Sequence, residues 1–299
     1  MLQTFDERNR DLIVSVNGHL VHRDRAAISP FDSAVQGGDA VWEGLRLYQG
    51  KIFRLEEHLA RLRRSAAALA FASVPSDEEI TGQIRAALRA NEMTDNVHIR
   101  LTLTRGVKIT SGMDPRLNQS GPTLIVLAEH KPPVYDQSGI TLVTASVRRP
   151  PPDCLDPKIH HNNLLSSILA KVEANVAGAD DAVMLDPRGF VAETNATHLF
   201  LVTGGRLATP ATVACPEGIT RAAVLELAEG AGIGCYVGDL SLTQFYSADE
   251  VFVTGTMVGL TPVTAIDGRT IGGAAPGPVT VRLTALFADL TARSGTPVV

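Results

Sequence analysis

The grouping of hairpin signals constrains this chain most. An Asn-Gly pair between two alternating apolar runs is a strong hairpin signal, because both turn residues must take positive φ. LIVSV-NG-HLVHR (12–23) has this form, and LRLYQGKIFRL (45–55) repeats it around Gln49-Gly50. Two more hairpins come later: DAVMLDPRGFVAET, turning at Asp186-Pro187-Arg188-Gly189, and THLFLVTGGRLATP, turning at Gly204-Gly205. VHIRLTLTRG (97–106), PTLIVLAEH (122–130), ITLVTASV and DEVFVTGT (249–256) read as further strands. Helical periods lie among them. Leu55, Leu59, Leu62, Ala66 and Leu69 share one face, and Ile80, Ile84 and Leu88 share a face of a helix expected from Asp77 to Glu92. A third helix is expected from Asn163 to Val176. Its inward face is Leu165, Ile168, Leu169, Val172 and Val176, and Gly178 ends it. A fourth helix spans 218–232. Hairpins and helices cluster rather than alternate strictly, so the expected fold is α/β with α+β character and mixed sheets.

At 299 residues the chain has room for two domains. KPPVYDQSG (131–139) places two prolines before polar residues and reads as a linker. The expected division is a small N-terminal α/β domain at 1–130, the linker at 131–139 and a larger C-terminal domain at 140–299. The three cysteines have no CxxC spacing, so neither a disulfide framework nor a zinc site is expected. The start, MLQTFDERNRDL, is charged and lacks an apolar signal core, and no apolar run reaches the roughly 18 residues of a membrane span. The expected location is cytoplasmic. Net charge is −5, with dispersed positive residues, which argues against a nucleic-acid partner.

Only five of the 27 basic residues are lysines: Lys51, Lys108, Lys131, Lys158 and Lys171. Arginine does the generic surface work, so each lysine is a candidate for chemistry that arginine cannot do, imine formation above all. Four features would together hold a phosphate-bearing pyridine aldehyde. Lys158 lies beside a helix start. Glu193, after a hairpin turn, could face a ring nitrogen and keep it protonated. Gly218-Ile219-Thr220 opens a helix whose free N–H groups suit a phosphate dianion. Arg61 flanks the apolar stripe of the 55–69 helix and could bond the same phosphate. Each also has an ordinary reading as a solvated loop, strand end, helix start or surface arginine. His160-His161 lacks a third convergent ligand, so no metal site is expected.

Several segments, taken in order, resemble the class IV (fold type IV) aminotransferases. They are VNGHLV, FDSAVQGGDAVWEGLRLYQG, RLEEHLARLRRSA, PKIHHNNLLSSILAKVEA, MLDPRGFVAETNATHLFLV, EGITRAAV and DEVFVTGTMVGLTPV. The resemblance implies a two-domain fold type IV homodimer that uses pyridoxal 5′-phosphate. It implies that Lys158 holds the cofactor as a Schiff base and that Glu193 faces the pyridine nitrogen. Arg61, Ile219, Thr220 and Thr256 are implied to bind phosphate. Met257 and Val258 would face the substrate, and Trp42, His98 and Arg100 would wall the pocket, near Glu43. The implied activity is ping-pong transfer of an amino group between a branched-chain or similar amino acid and a 2-oxo acid. D-amino-acid or R-amine transamination is the alternative, and aminodeoxychorismate lyase activity stands third. The chain departs from the pattern at several places. Gly37 stands where relatives often carry a tyrosine, and His98 falls where branched-chain enzymes carry one. A second tyrosine often follows an asparagine four residues after the lysine in relatives; here the stretch is Lys158-Ile-His-His-Asn162-Asn163, and either asparagine could match that one. After Glu193 the usual Gly-Ser is Thr194-Asn195, which makes Asn195 a candidate contact to the ring hydroxyl. His198 ends that motif where relatives carry asparagine. Loop 107–118 is the expected specificity element, with Arg105 or Arg116 as candidate clamps for a carboxylate.

Overall fold

In the computed structural model, which describes residues 3–135, 138–273 and 276–299, the chain forms two compact units. The first runs to Pro132 and also takes in Ile159–Asn163 and Thr291–Val299. The second is Pro133–Lys158 and Leu164–Leu290. Within the linker expected at 131–139, Asp136 and Gln137 lie outside the described residues. The two excursions, at 159–163 and at the C-terminus, have no signature in composition.

The first unit is built on a seven-stranded sheet. Its strands are β1 (Ile13–Val16), β2 (His19–His22), β3 (Ala40–Tyr48), β4 (Lys51–Ile52), β5 (Val97–Thr104) and β6 (Thr123–His130), with the C-terminal strand Thr296–Pro297 on β4. Both expected hairpins form. Asn17 and Gly18 sit at φ 50° and 80°, as a two-residue β1–β2 turn demands. Tyr48 pairs Lys51 across the Gln49-Gly50 turn. Alternation sends Val41, Leu45 and Leu47 of β3, with Ile99, Leu101 and Leu103 of β5, into one core. After the short helix α1 (Ser33–Gly37), helices α2 (Leu55–Ala68) and α3 (Asp77–Ala90) bring Leu59, Leu62, Ile80, Ile84 and Leu88 into that core. Each such side chain contributes about 1.5–3 kcal/mol by leaving water. Helix α3 starts at a capping box, with Ser76 and Glu79 satisfying each other's backbone N–H groups. On the opposite sheet face, Arg46 lies across from His98, Gly44 from Arg100 and Trp42 from Thr102.

The second unit carries a nine-stranded sheet. Its strands are β7 (Ile140–Thr144), β8 (Asp181–Leu185), β9 (Val191–Thr194), β10 (His198–Thr203), β11 (Arg206–Pro210), β12 (Cys235–Gly238), β13 (Glu250–Gly255), β14 (Gly259–Ile266) and β15 (Arg269–Thr270). The order is β12-β11-β10-β13-β14-β7-β8-β9, with β15 on β14. Strand β7 runs parallel to both β14 and β8, and β12 parallel to β11, so the sheet is mixed as expected. Its helices are α4 (Pro152–Leu155), α5 (Leu165–Ala177), α6 (Ile219–Gly230), α7 (Leu242–Tyr246) and α8 (Pro278–Arg293). The sequence reading singled out neither α7 nor α8.

Helix α5 overturns one expectation. Leu165, Ile168, Leu169, Val172 and Val176 do not face inward; they are between 50% and 85% exposed. Ala170 and Ala174 are the buried residues, packed with Ala145, Ala182 and Met184. Small side chains let the helix lie close on the sheet, and the apolar stripe turns outward.

Ile84 has no exposed surface. Ile84→Ala should therefore destabilise the protein by about 2–5 kcal/mol, and Ser76→Ala, which removes a cap, by about 1 kcal/mol. Urea unfolding of the variants against the parent checks both values and their order.

Candidate active site

The first unit contributes a buried charge cluster. Glu43 occupies an inward position of β3, between Val41 and Leu45, and its side chain has no solvent exposure. A carboxylate in such a place must be paired. Arg61, from α2, donates through Nε to Oε1 at 2.8 Å and through Nη2 to Oε2 at 2.7 Å. His58, one turn earlier on α2, places Nδ1 2.7 Å from Oε2. His160 Nδ1 is 3.4 Å from Oε1. Burial alone would raise the Glu43 carboxyl, but the charges and hydrogen bonds of Arg61 and His160 hold it well below the usual carboxylate range. His160 is pushed down, chiefly by burial.

His160 belongs to the five-residue segment after Lys158, which is laid along β3. Strand β4 pairs β3 only at Leu47 and Tyr48, so the early half of that edge is open to another partner. Trp42 N–H donates to the His160 carbonyl at 2.9 Å, and Asn162 N–H to the Ala40 carbonyl at 3.0 Å. Trp42 Nε1 donates to the His161 carbonyl at 3.1 Å. The His160 ring stacks on Trp42 at 4.1 Å, and its Nδ1 meets the Trp42 carbonyl at 2.6 Å. Arg100 covers the Trp42 ring at 3.5 Å and donates to Asn162 Oδ1 at 3.1 Å. Burial lowers Arg100 to about 10, against the opposing pull of Glu43. Beside it, His98 is pushed down to about 3 by burial and by the charges of Lys131, Arg100 and Arg46. It is neutral at physiological pH, and its Nδ1 is buried without a hydrogen-bond partner.

The second unit holds the other named residues. Glu193, on β9, is buried with Oε1 2.6 Å from Arg149 Nη2. Arg149 is itself fixed by the Ala214 carbonyl at 3.2 Å and Ser167 Oγ at 3.0 Å. His198 Nδ1 lies 3.9 Å from Glu193 Oε2. Helix α6 starts at Ile219 behind Gly218 with no side-chain cap, and Thr220 is buried in its first turn. Its early N–H groups are thus left for an anion. Thr256, Met257 and Val258 form the tight turn from β13 to β14. There Val258 N–H donates to the Gly255 carbonyl, and the Met257 carbonyl accepts from Val134. Lys158 is exposed, with its N–H on Asp156 Oδ1 at 2.9 Å. Its ammonium is close enough to act electrostatically on Cys215, as does Glu193. Lysine, carboxylate and uncapped helix start therefore share one unit.

Three candidates receive other work. Asn195 Oδ1 accepts from Ala182 N–H at 3.0 Å, and the residue also bonds Asp181, so it ties β8 to β9. Arg105 is held by Asp39 at 2.6 Å and by the Leu69 and Ala70 carbonyls. Arg116 is held by its neighbour Asp114 on the exposed loop. Sequence reasoning missed Arg149, His58 and Cys215. Arg149 sits in the Pro-rich RRPPPDC, where nothing marks it from Arg148.

This donor set fits pyridoxal 5′-phosphate. A buried carboxylate suits a ring nitrogen, an uncapped helix start and a buried threonine suit a phosphate, and a lysine belongs to the same unit. The Thr254 hydroxyl, opposite His198 in the β10–β13 ladder, is buried without a partner, a further place for a polar ligand atom.

Comparison with known proteins agrees. The class IV aminotransferase family pattern matches residues 40–266. The chain is 56% identical over 291 residues to branched-chain-amino-acid aminotransferase-like protein 2 of Arabidopsis thaliana, covering 97% of this chain and 52% of that one. It thus spans about half the length of that relative. A putative branched-chain-amino-acid aminotransferase of Methanocaldococcus jannaschii is 40% identical, with 94% and 97% of the two chains covered. Among solved structures, the fold matches a branched-chain amino acid aminotransferase of Escherichia coli, with a TM-score of 0.85 and 31% identity over 94% of each chain. The chain belongs to the class IV aminotransferases, and its cofactor is pyridoxal 5′-phosphate.

Glu43→Gln removes the charge that Arg61 grips at both oxygens and so breaks a buried ion pair, which should cost about 3–5 kcal/mol. The depressed carboxyl also sets the pH window. Its contribution is fully present above the ordinary value of 4.5 and is lost as pH falls toward the lower folded value. Urea unfolding across pH should show a gap between parent and variant that is constant at neutral pH and shrinks only in acid below that value.

Proposed function

We propose that this enzyme moves an amino group between a branched-chain or similar amino acid and a 2-oxo acid, by ping-pong transfer through its cofactor. The observation that carries the reading is the grouping of Lys158, Glu193 and the uncapped start of α6 in one unit of a class IV aminotransferase. When bound, pyridoxal phosphate supplies an electron sink for the bond breaking at the substrate's α-carbon. The chain's residues do the rest. Glu193, held in place by Arg149, keeps a proton on the ring nitrogen. Ile219, Thr220, Thr256 and Arg61 bind phosphate. Lys158 would hold the aldehyde carbon, and its amine, when free, would take the proton from the substrate's α-carbon and return it on the cofactor side.

Trp42, His98 and Arg100 favour a substrate with an apolar side chain and a carboxylate. His98 is neutral, and Arg100 is a half-buried cation that donates to an amide oxygen. We assign Arg100, rather than Arg105 or Arg116, to a substrate or acceptor carboxylate, and Met257 and Val258 to further contacts with the substrate. Arg100→Met should raise KM for a dicarboxylic 2-oxo acid by at least about tenfold, the worth of one charge-assisted bond, and leave that for a monoanionic acceptor less changed.

The domain division we propose places the small domain at 1–130, the linker at 131–139 and the larger domain at 140–299, apart from Ile159–Asn163 and Thr291–Val299, which group with the first unit. We further propose that the protein is a cytoplasmic homodimer. Three free cysteines suit a reducing compartment, and among the described residues no helix is long and apolar enough to cross a membrane. The outward stripe of α5, five large apolar residues on one helix, is the kind of surface a second copy covers. Ile168→Asp with Val172→Asp should then yield a monomer by light scattering; an unchanged mass would remove α5 from the interface.

The substrate class is tested by adding L-leucine, D-alanine or an R-amine separately to the yellow enzyme. L-leucine should bleach the imine absorption. Bleaching by D-alanine or the R-amine alone would replace the proposed donor.

A further inference from the structure

Glu193, His198 and Cys215 meet in the second unit in a way that cofactor binding does not require. Their ligating atoms all lie within 4.8 Å of one another. Cys215 Sγ is 4.0 Å from His198 Nδ1, which is 3.9 Å from Glu193 Oε2. All three residues are buried. They come from three places in the chain: β9, the start of β10 and the turn before α6. We propose that these residues form a site for a thiophilic divalent cation, of which zinc is the representative, and that its occupation excludes the cofactor. The exclusion rests on the assignment of Glu193 to the pyridine nitrogen; the metal site itself does not.

A tetrahedral zinc with bonds of about 2.0–2.3 Å sets its ligand atoms about 3.3–3.5 Å apart. Closing the present triangle therefore takes a contraction of about 1 Å. One thiolate, one imidazole and one carboxylate leave the fourth position to water, and this mixed set favours zinc or cobalt over magnesium or calcium, which demand oxygen. The surroundings are those of a supported site. Arg149 holds Glu193 Oε1 and leaves Oε2 on the His198 side, the outer-shell bond that orients a ligating carboxylate. Gly218 fixes the imidazole from behind: a Cβ there would lie 2.3 Å from His198 Nε2, so the ring rests against bare backbone.

Burial pushes the Cys215 thiol up, with Glu193 adding to the effect, so without metal the sulfur keeps its proton. Binding replaces the S–H bond by an S–metal bond and releases one proton to solvent, with no change of oxidation state. Affinity should rise with pH accordingly. Because Glu193 Oε2 cannot serve metal and pyridine nitrogen together, zinc should slow reactivation of the apoenzyme by pyridoxal phosphate.

The test is titration of the full-length apoenzyme with Co2+, read by the thiolate-to-cobalt charge-transfer absorption. One cobalt per chain is expected. The band should vanish in Cys215→Ser and Cys215→Ala, and affinity should fall at least about tenfold in His198→Asn. Zinc X-ray absorption on the unmutated apoenzyme, which depends on no variant's folding, should show one sulfur at about 2.3 Å. Absence of the sulfur shell, or a cobalt band that survives the loss of Cys215, overturns the site. Prior saturation with pyridoxal phosphate should block cobalt. Equal cobalt binding before and after saturation would keep the metal site and instead contradict the placement of the ring nitrogen at Glu193.

Discussion

A carboxylate with no solvent exposure organises the first unit. Glu43 stands in a strand whose other inward residues are aliphatic, and its charge is tolerated only because Arg61 grips both its oxygens. That grip fixes α2 on β3 through a bidentate pair, which defines direction as well as distance. His58 and His160 add to it from α2 and from the segment that follows Lys158. In its proposed role on the phosphate, Arg61 has to be placed accurately before the ligand arrives, and the Glu43 pair supplies that placement. The same cluster anchors the residues that follow Lys158, through Trp42 and the open edge of β3.

The second unit repeats the device with different parts. Glu193 is buried against Arg149, which is in turn held by a backbone carbonyl and a serine hydroxyl. In both units a buried acid that would be costly alone is paired with an arginine. The difference lies in what the acid does. Glu43 spends both oxygens on Arg61 and is structural. Glu193 gives one oxygen to Arg149, and the other faces His198 and Cys215. That second oxygen is the one a pyridinium N–H, or a metal ion, would meet.

Local elements were legible where local chemistry decides them. The Asn17-Gly18 turn, the 55–69 helix and the Asp186–Gly189 hairpin each carry their signal in a few adjacent residues, and each forms. The apolar stripe of α5 was legible as a stripe but not in its direction, because periodicity reports which face is apolar and not what covers it. Ala170 and Ala174, the small residues opposite, are the true contact face. Glu193, Lys158 and the α6 start were recognisable as a set only through resemblance, since spacing along the chain does not bring them together. Arg149, His198 and Cys215 converge from distant segments, and Arg105 has its carboxylate partner, Asp39, far away in sequence. These long-range pairings were therefore invisible to sequence reading.

The proposed role of Lys158, to hold pyridoxal phosphate, is open to a direct measurement: reduction of the native enzyme with borohydride, followed by peptide mass spectrometry to locate the phosphopyridoxyl group. The label is expected on the peptide containing Lys158 and on no other lysine. A label on Lys51, Lys108, Lys131 or Lys171, with Lys158 unmodified, would contradict it.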